Sequence, residues 1–367
     1  MDAPDPPHGG PDAPTGDPEG VQRALRRIAH LLDRTLEPSS KVRAYRNAAQ
    51  VVAELPAGEL AARVERGTLQ ELAGIGPSTG AAITSAYRGE VPTKLAELER
   101  SSVLPLSEEG RRYREALRGD CHSHSTWSDG GASIEEMARC AAGLGHEYLV
   151  VTDHSPRLTV AHGLDRGRLE SQLLEIDRLN AELAPFRVLT GMEVDIFEDG
   201  SLDGDPDLLD RLDVVVASVH SKLRMDAESM TRRMVIAAAN PLVDVLGHCT
   251  GRMLKARVPR PGDDPEVKRP PSAFDPDLVF AACARFDTAV EINCRPERQD
   301  PPDELLALAL DWGCRVAIDT DAHATGQLEW QVYGCEKAAR HGVELDRIVN
   351  TMSADDLVEW AASRPAG

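Results

Sequence analysis

The chain has 367 residues, which allows one large domain and one small domain, and its 41% hydrophobic and 28% charged content is typical of a globular protein. No apolar run is long enough to cross a bilayer, and residues 1–18 lack the pattern of a signal peptide. Seven scattered cysteines without a C-x-x-C pair favour a reducing, cytoplasmic compartment, and a net charge of −20 argues against nucleic-acid binding by the whole surface.

The first part of the chain is predicted to be helical. Residues 1–20 are rich in Pro, Gly and Asp and are expected to form a disordered tail. From residue 21, apolar residues such as Leu25, Ile28 and Leu32 recur at helical spacing, and no convincing strand occurs before about residue 98. Residues 21–118 carry 16 Lys and Arg against 12 Asp and Glu, so this part is mildly basic. We predict a small all-α domain over residues 21–105.

A glycine turn lies between two of these helices, in the run Leu72-Ala73-Gly74-Ile75-Gly76-Pro77. Such a turn exposes backbone N–H groups beside a helix N-terminus, which suits a phosphate oxygen. The alternative is a plain turn between packed helices. With the basic run Ser40-Lys41-Val42-Arg43-Ala44-Tyr45-Arg46, the segment resembles the amino-terminal helix-hairpin-helix domain of bacterial family X DNA polymerases.

This resemblance implies binding of DNA, gapped or with a free end, near a 5′-phosphate. The implied DNA contacts are Lys41, Arg43, Arg46, Gly74 and Gly76, although the three basic residues also fit a solvated helix face. Ala82 replaces the lysine that some relatives use for lyase chemistry, so no lyase activity is expected. A linker at residues 106–118 is far too short for a polymerase palm, and we therefore expect that the chain is not a polymerase.

From residue 119, strand-like runs alternate with amphipathic helices. Seven strands are predicted, at 119–124, 148–152, 187–193, 213–219, 243–247, 288–293 and 314–320. Seven such units indicate a closed or nearly closed parallel barrel with helices outside, with an open doubly wound sheet as the alternative. Residues 256–274, rich in Arg, Pro and Asp, are expected to form an exposed loop after the fifth strand.

Histidines and carboxylates recur where these strands end. His122 and His124 would lie on one face of the first strand, about 7 Å apart, and Asp129 follows across a turn. The other strand ends supply His154, Glu193, His220, His248, Asp321 and His323. One such histidine is most simply a core residue, but six at the C-terminal mouth of parallel strands indicate a metal site.

These motifs, from His122-Ser-His124 to Asp319-Thr-Asp321-Ala-His323, closely resemble the PHP (polymerase and histidinol phosphatase) superfamily over residues 119–362. The resemblance implies a distorted (β/α)7 TIM-like barrel and a trinuclear metal site. It implies three groups of ligands: His122, His124, Glu193 and Asp321; Glu193, His220 and His248; and Asp129, His154 and His323. Mixed imidazole and carboxylate ligands suit Zn, Mn or Fe.

Three functional hypotheses remain open at this stage. The first is a metal-dependent phosphoesterase acting on DNA ends or gaps in DNA repair, as a 3′–5′ exonuclease, 3′-phosphatase or abasic-site endonuclease. The second is a small-molecule phosphatase of the histidinol-phosphatase type, and the third is a non-catalytic DNA-binding protein. Arg252, Arg298 and Lys222 are candidate contacts to the substrate phosphate, with surface salt bridges as the alternative.

Overall fold

The structure, a computed structural model, describes residues 16–104, 106–255 and 266–363. The chain divides into two compact units, Met1–Leu104 and Pro105–Gly367. Most of the predicted tail lies outside the described residues, but its predicted end at residue 20 is wrong. The first helix already begins at Pro18, because the Asp17 carboxylate caps the N–H groups of Glu19 and Gly20.

The first unit is all-α over its described residues. Its helices are α1 (Pro18–Arg34), α2 (Ser39–Glu54), α3 (Glu59–Arg66), α4 (Pro77–Tyr87) and α5 (Thr93–Ser101). Helix α1 packs against α2, α4 and α5, and its fully buried Leu25, Ile28 and Leu31 lie at the centre of the core. The all-helical prediction for this part is confirmed.

The second unit is built on seven parallel strands with the spatial order β1-β2-β3-β4-β5-β8-β9. They are β1 (Gly119–Ser123), β2 (Tyr148–Val151), β3 (Arg187–Asp195), β4 (Val214–Ser218), β5 (Val245–Leu246), β8 (Ala289–Asn293) and β9 (Val316–Asp319). The two outer strands approach each other, since the N–H of His124 donates to the carbonyl of Ala322 at 2.8 Å. The sheet is a nearly closed barrel, which confirms the barrel prediction and excludes the open sheet.

Helices pack around this barrel. They are α7 (Ile134–Gly143), α8 (Arg166–Leu183), α9 (Pro206–Leu209), α10 (Ala227–Ala238), α11 (Pro276–Phe286), α12 (Asp303–Asp311), α13 (Gln331–His341) and α14 (Ala354–Ala362). Inside the barrel, Val150, Val216 and Val245 are buried with other apolar residues. No helix of the described residues combines the length and apolar character that a membrane span requires.

Two segments differ from their predicted structure. The predicted linker at 106–118 contains α6 (Glu108–Ala116), which packs on α13. The Tyr113 hydroxyl donates to the carbonyl of Val343 and Arg114 donates to that of Leu144, both at 2.8 Å, so α6 belongs to the second unit.

The predicted loop at 256–274 lies partly outside the described residues. Its later part forms β7 (Val267–Arg269), which pairs with β6 (Met253–Leu254) as an antiparallel ribbon. This segment is therefore not purely a loop, because its backbone groups find partners on the preceding β6.

Candidate metal centre

The nine predicted metal ligands lie together at the C-terminal ends of the barrel strands. Strand β1 carries His122, strand β3 carries Glu193, and the remaining ligands follow β1, β2, β4, β5 and β9 directly or across a short turn. Parallel strands bring residues from distant parts of the chain to one edge of the barrel. We call this group the metal bowl: His122, His124, Asp129, His154, Glu193, His220, His248, Asp321 and His323.

Glu193 is the central residue of the metal bowl. Its buried carboxylate lies within 3.6 Å of a ring nitrogen of five histidines: His122 at 3.5 Å, His124 at 3.6 Å, His154 at 2.8 Å, His220 at 3.3 Å and His248 at 2.9 Å. This carboxylate therefore lies among the ring nitrogens of five imidazoles.

The other carboxylates extend the bowl towards solvent. Asp129 Oδ1 lies 3.5 Å from Nε2 of His154 and 3.3 Å from Nε2 of His323. Asp321, whose φ of 52° is left-handed, places Oδ1 3.5 Å from both His124 Nε2 and His323 Nδ1. The Asp129 side chain is 35% exposed whereas Glu193 is 1% exposed, so the bowl opens on the Asp129 side.

Three sets of ligand atoms in this bowl lie within 4.8 Å of one another. They are His124, Asp129, His154 and His323; His122, His124 and Glu193; and His154, Glu193 and His220. Among the described residues, Nε2 of His122 and both ring nitrogens of His124 are buried without a hydrogen-bond partner. Buried polar atoms without a partner are costly, so these nitrogens fit the lone-pair donors of a metal site.

At Glu193 and His124 the electrostatics of the bowl favour the ionisation state that a metal ligand needs. Burial alone would raise the pKa of Glu193, but the surrounding histidines, chiefly His220 and His122, hold that pKa well below its usual range. Burial, together with the charges of His323 and His154, keeps the pKa of His124 well below its usual range. An ionised carboxylate and a neutral imidazole are the forms that coordinate metals.

Three carboxylates that the sequence analysis did not assign hold ligands of the bowl or residues next to them. Glu291 Oε1 lies 2.6 Å from Nδ1 of His122, and because a carboxylate only accepts, Nδ1 carries the proton and Nε2 faces the bowl. Asp195 accepts from the N–H of His220 at 3.0 Å, and Asp153 accepts from the N–H of Ser125 at 2.8 Å. The available signal was the position of Asp153 and Asp195, one and two residues from predicted ligands, and of Glu291 near the end of the predicted strand 288–293.

The predicted phosphate contacts have different environments. Arg298 lies at the bowl, where its Nε donates to Oδ2 of Asp321 at 3.0 Å. Two nitrogens of Arg252 donate to the carbonyls of Arg298 and Gln299, so this side chain stabilises the segment that contains those two residues. Lys222 is exposed. The phosphate-binding role of all three stays a prediction.

Arg295 is a second cation at the bowl that the sequence analysis missed. Its Nη1 donates to the carbonyl of Asp321 at 3.1 Å and lies 3.1 Å from Nδ1 of His323. Its guanidinium also lies 5.6 Å from the centre of the Trp330 ring. Its place two residues after Glu291-Ile-Asn293 at the end of β8 was the signal.

The predicted DNA contacts lie in the first unit. Lys41 and Arg46 form ion pairs at 2.6 Å with Glu37 and Asp33, whereas Arg43 is exposed. The two ion pairs agree with the alternative interpretation of a solvated helix face for those two residues. DNA binding by these residues stays a prediction.

The glycine turn leads directly into α4. Gly74 has a left-handed φ of 88°, and the N–H of Gly76 donates to Oγ1 of Thr79 at 2.9 Å. Apart from Gly76 and its two chain neighbours, no described residue places a heavy atom within 4 Å of where a Cβ on Gly76 would stand. The turn therefore offers an open backbone surface beside the N-terminus of α4.

Two family models match the chain, the PHP domain over residues 120–268 and the helix-hairpin-helix domain over residues 19–90. The DNA polymerase/3′-5′ exonuclease PolX of Bacillus subtilis is 38% identical over 241 residues, which are 66% of this chain and 40% of that protein. The chain thus spans about two fifths of the length of that relative.

The chain covers a larger share of the length of several probable phosphatases than of PolX. One from Acetivibrio thermocellus is 32% identical over 213 residues, 56% of this chain and 78% of that protein. One from Thermoanaerobacter sp. is 29% identical over 248 residues, 63% of this chain and 89% of that protein. The structure of histidinol phosphate phosphatase from Lactococcus lactis, in complex with zinc, L-histidinol and phosphate, has a TM-score of 0.42 and 18% identity over 62% of this chain and 95% of that chain.

The two family models and the similarity to the phosphatase of Acetivibrio thermocellus agree with the fold and the metal bowl. The chain belongs to the PHP-domain phosphoesterases, hydrolases of phosphoric ester bonds, and it carries a helix-hairpin-helix domain ahead of the PHP domain.

Proposed function

We propose that the protein hydrolyses phosphate esters at a centre of three divalent metal ions, and that its substrates are DNA ends or gaps. The observation that carries this proposal is the convergence of nine imidazole and carboxylate ligands around Glu193. Zn, Mn and Fe all suit this set of ligands. The ligand groups implied by the family resemblance would hold one ion each, with Glu193 shared between two.

When bound, divalent ions neutralise the phosphoryl oxygens and lower the pKa of water from about 16 to about 7. The residues of the chain would orient the ester. Arg298 and Arg295 lie at the rim beside Asp321 and would hold phosphate oxygens by charge-assisted hydrogen bonds. Glu291 would keep the ring of His122 facing the bowl, and Asp195 would hold the backbone of His220 in place.

DNA is the substrate class that the first unit favours. A helix-hairpin-helix domain and a relative named as a 3′-5′ exonuclease support a substrate held by its backbone phosphates. In this proposal Gly74, Gly76 and Arg43 contact the DNA backbone. Hydrolysis occurs at DNA ends or gaps, as a 3′–5′ exonuclease, 3′-phosphatase or abasic-site endonuclease in DNA repair.

Small phosphomonoesters are the second candidate substrate class. The probable phosphatases of A. thermocellus and Thermoanaerobacter sp. support it, since most of the length of each is covered. The −20 charge of the chain also favours a small anion over a polyanion.

A competition assay decides between these candidates. The full chain, loaded with Mn or Zn, receives 3′-labelled gapped DNA together with a panel of phosphomonoesters that includes histidinol phosphate. The proposal predicts preferential cleavage of DNA, and a several-fold loss on DNA alone in Arg43→Glu. Preferential hydrolysis of a small ester, together with an Arg43→Glu variant that stays active on both substrates, contradicts the DNA assignment.

We also propose a reducing, cytoplasmic location. All seven cysteines lie in the described residues, and no disulfide joins any two of them.

A further inference from the structure

An open depression of about 370 Å³ lies at the same end of the barrel as the metal bowl. Arg157 lines it from the segment after β2, three residues beyond the ligand His154. Phe197, Glu198, Asp199 and Ser201 line it from the turn after β3, four or more residues beyond the ligand Glu193. None of these five residues belongs to the metal bowl, but both segments that carry them leave strands that supply its ligands.

Two of the lining residues, Arg157 and Phe197, stack on each other. The guanidinium carbon of Arg157 lies 4.6 Å from the centre of the Phe197 ring. The backbone of Phe197 is held in a tight turn, since its N–H donates to Ser201 and its carbonyl accepts from Gly200. The backbone N–H of Arg157 donates to Oδ2 of Asp203 at 2.7 Å. We call this pair the stacking platform. Because the pair is already ordered, ligand binding loses little entropy in fixing these two side chains.

One carboxylate joins the stacking platform to the metal bowl. Asp195 is 2% exposed and places Oδ2 3.5 Å from Nε of Arg157. Its Oδ1 accepts from the N–H of His220 and lies 3.6 Å from Nδ1 of that ring. The same side chain therefore fixes a metal ligand and the platform. A group attached to a phosphate in the bowl would find the platform next to it.

The lining of the depression selects the chemistry of that group. A guanidinium stacked on a phenyl ring favours a flat aromatic ring system. Glu198 and Asp199 are exposed at its edge, and their charges repel a second phosphate while offering acceptors to ring N–H and amino groups. The volume of this open depression is of the size that one small ligand occupies.

We propose that the stacking platform binds the nucleobase of the terminal nucleotide whose phosphate lies in the metal bowl. This inference rests on the proposed phosphoesterase function and names its substrate as a nucleoside phosphate ester.

The test compares three ligands of the metal-loaded full chain: thymidine 5′-monophosphate, 2-deoxyribose 5-phosphate, which lacks only the base, and 2-aminoethyl phosphate, which carries an amine instead. Inhibition of bis(p-nitrophenyl) phosphate hydrolysis and calorimetric titration both measure their affinities. We expect thymidine monophosphate to bind about tenfold more tightly than deoxyribose phosphate. Phe197→Leu, which keeps an apolar side chain without a ring face, should reduce this ratio to about one, and Phe197→Tyr should keep it.

Trp312→Leu is the matched control, since Trp312 is an aromatic residue of the same unit, 44% exposed and outside the site. It should leave the ratio unchanged. An equal affinity for the two sugar phosphates in the unaltered chain overturns the inference, and so does an unchanged ratio in Phe197→Leu. Tighter binding of 2-aminoethyl phosphate that Glu198→Gln abolishes would make the depression an amine site and overturn it too. A base-dependent affinity without cleavage of gapped DNA would contradict the proposed DNA substrate but not the platform.

Discussion

The contacts of single side chains determine whether the bowl presents the correct nitrogen atoms. His122 is the clearest case, because its Nδ1 is held by Glu291 and its Nε2 faces Glu193 at 3.5 Å. Glu291 is fully buried and also accepts from the N–H of His248. A single carboxylate therefore fixes two ligands that belong to different strands.

Glu291→Gln should lower metal affinity by about 10- to 100-fold, because an amide holds the His122 ring less strongly than a carboxylate. Metal titration followed by a competing chelator measures the affinity, and circular dichroism checks that the barrel is intact. Glu304→Gln, on the exposed face of α12, is the control and should bind metal normally. Unchanged affinity in a folded Glu291→Gln variant would exclude the orienting role.

His146 predicts a pH dependence that does not involve the bowl. Burial and the nearby charge of Arg114 lower its pKa to about 3, whereas the unfolded chain has the ordinary value near 6.5. Below pH 6.5 the unfolded state therefore binds a proton that the folded state does not, and stability falls as the pH is lowered towards 3.

We expect this histidine to cost about 2 kcal/mol of folding free energy on going from pH 7 to pH 5. His146→Leu removes the titrating group, so the denaturation midpoint of metal-free protein should fall less over this range than that of the unaltered chain. Parallel curves for the two proteins would show that His146 does not titrate as its burial implies.

At the scale of elements, the strands explain why most of the bowl was predictable. Buried apolar runs mark the strands, and parallel strands place whatever follows them at one end of the barrel, so histidines distant in sequence were expected to meet. The orienting carboxylates and the stacking platform depend on which side chains face each other across loops. The spacing of apolar residues along the sequence does not contain that information.

Helix α6 shows another limit of sequence patterns. Its sequence Glu-Glu-Gly-Arg-Arg-Tyr-Arg-Glu-Ala has no apolar stripe, and Gly110 is its one buried residue. The helix is held instead by polar groups of Tyr113 and Arg114 that reach carbonyls of the barrel unit. A segment fixed by such hydrogen bonds resembles a linker in sequence.

The two glycines of the hairpin turn allow a matched pair of substitutions. Gly74→Ala forces a side chain into a left-handed backbone and should lower the free energy of unfolding by about 1 kcal/mol. Gly76 has an extended backbone and open space where a methyl group would stand. The small effects of Gly76→Ala on helix capping and on the unfolded chain should therefore nearly cancel in the free energy of unfolding.

Gly76→Ala should still weaken binding to gapped DNA several-fold, because its methyl group stands where the proposal brings a phosphate to the backbone. Denaturant unfolding and a DNA-binding titration measure the two effects separately. If Gly76→Ala binds DNA as the unaltered chain does, the hairpin turn does not contact DNA.

At the scale of the whole molecule, the chain combines a mildly basic helical segment, residues 21–104 with 12 Lys and Arg against 9 Asp and Glu, with an acidic barrel unit. Carboxylates gathered for cations account for part of that acidity, since Asp129, Glu193 and Asp321 lie in the bowl and Asp153, Asp195 and Glu291 lie beside it. The acidity of the barrel therefore follows in part from its proposed chemistry.

The central claim is that nine converging side chains hold a cluster of metal ions that hydrolyses a phosphate ester. The most direct test measures bound metal per chain together with phosphoester hydrolysis, before and after removal of metal with a chelator, in the unaltered protein and in His124→Ala and Asp321→Ala. We predict about three ions per chain, activity that is lost with the metal and returns on reloading, and a loss of both in the two variants. Full hydrolysis by the metal-free protein, or by variants that no longer bind the ions, would contradict the claim.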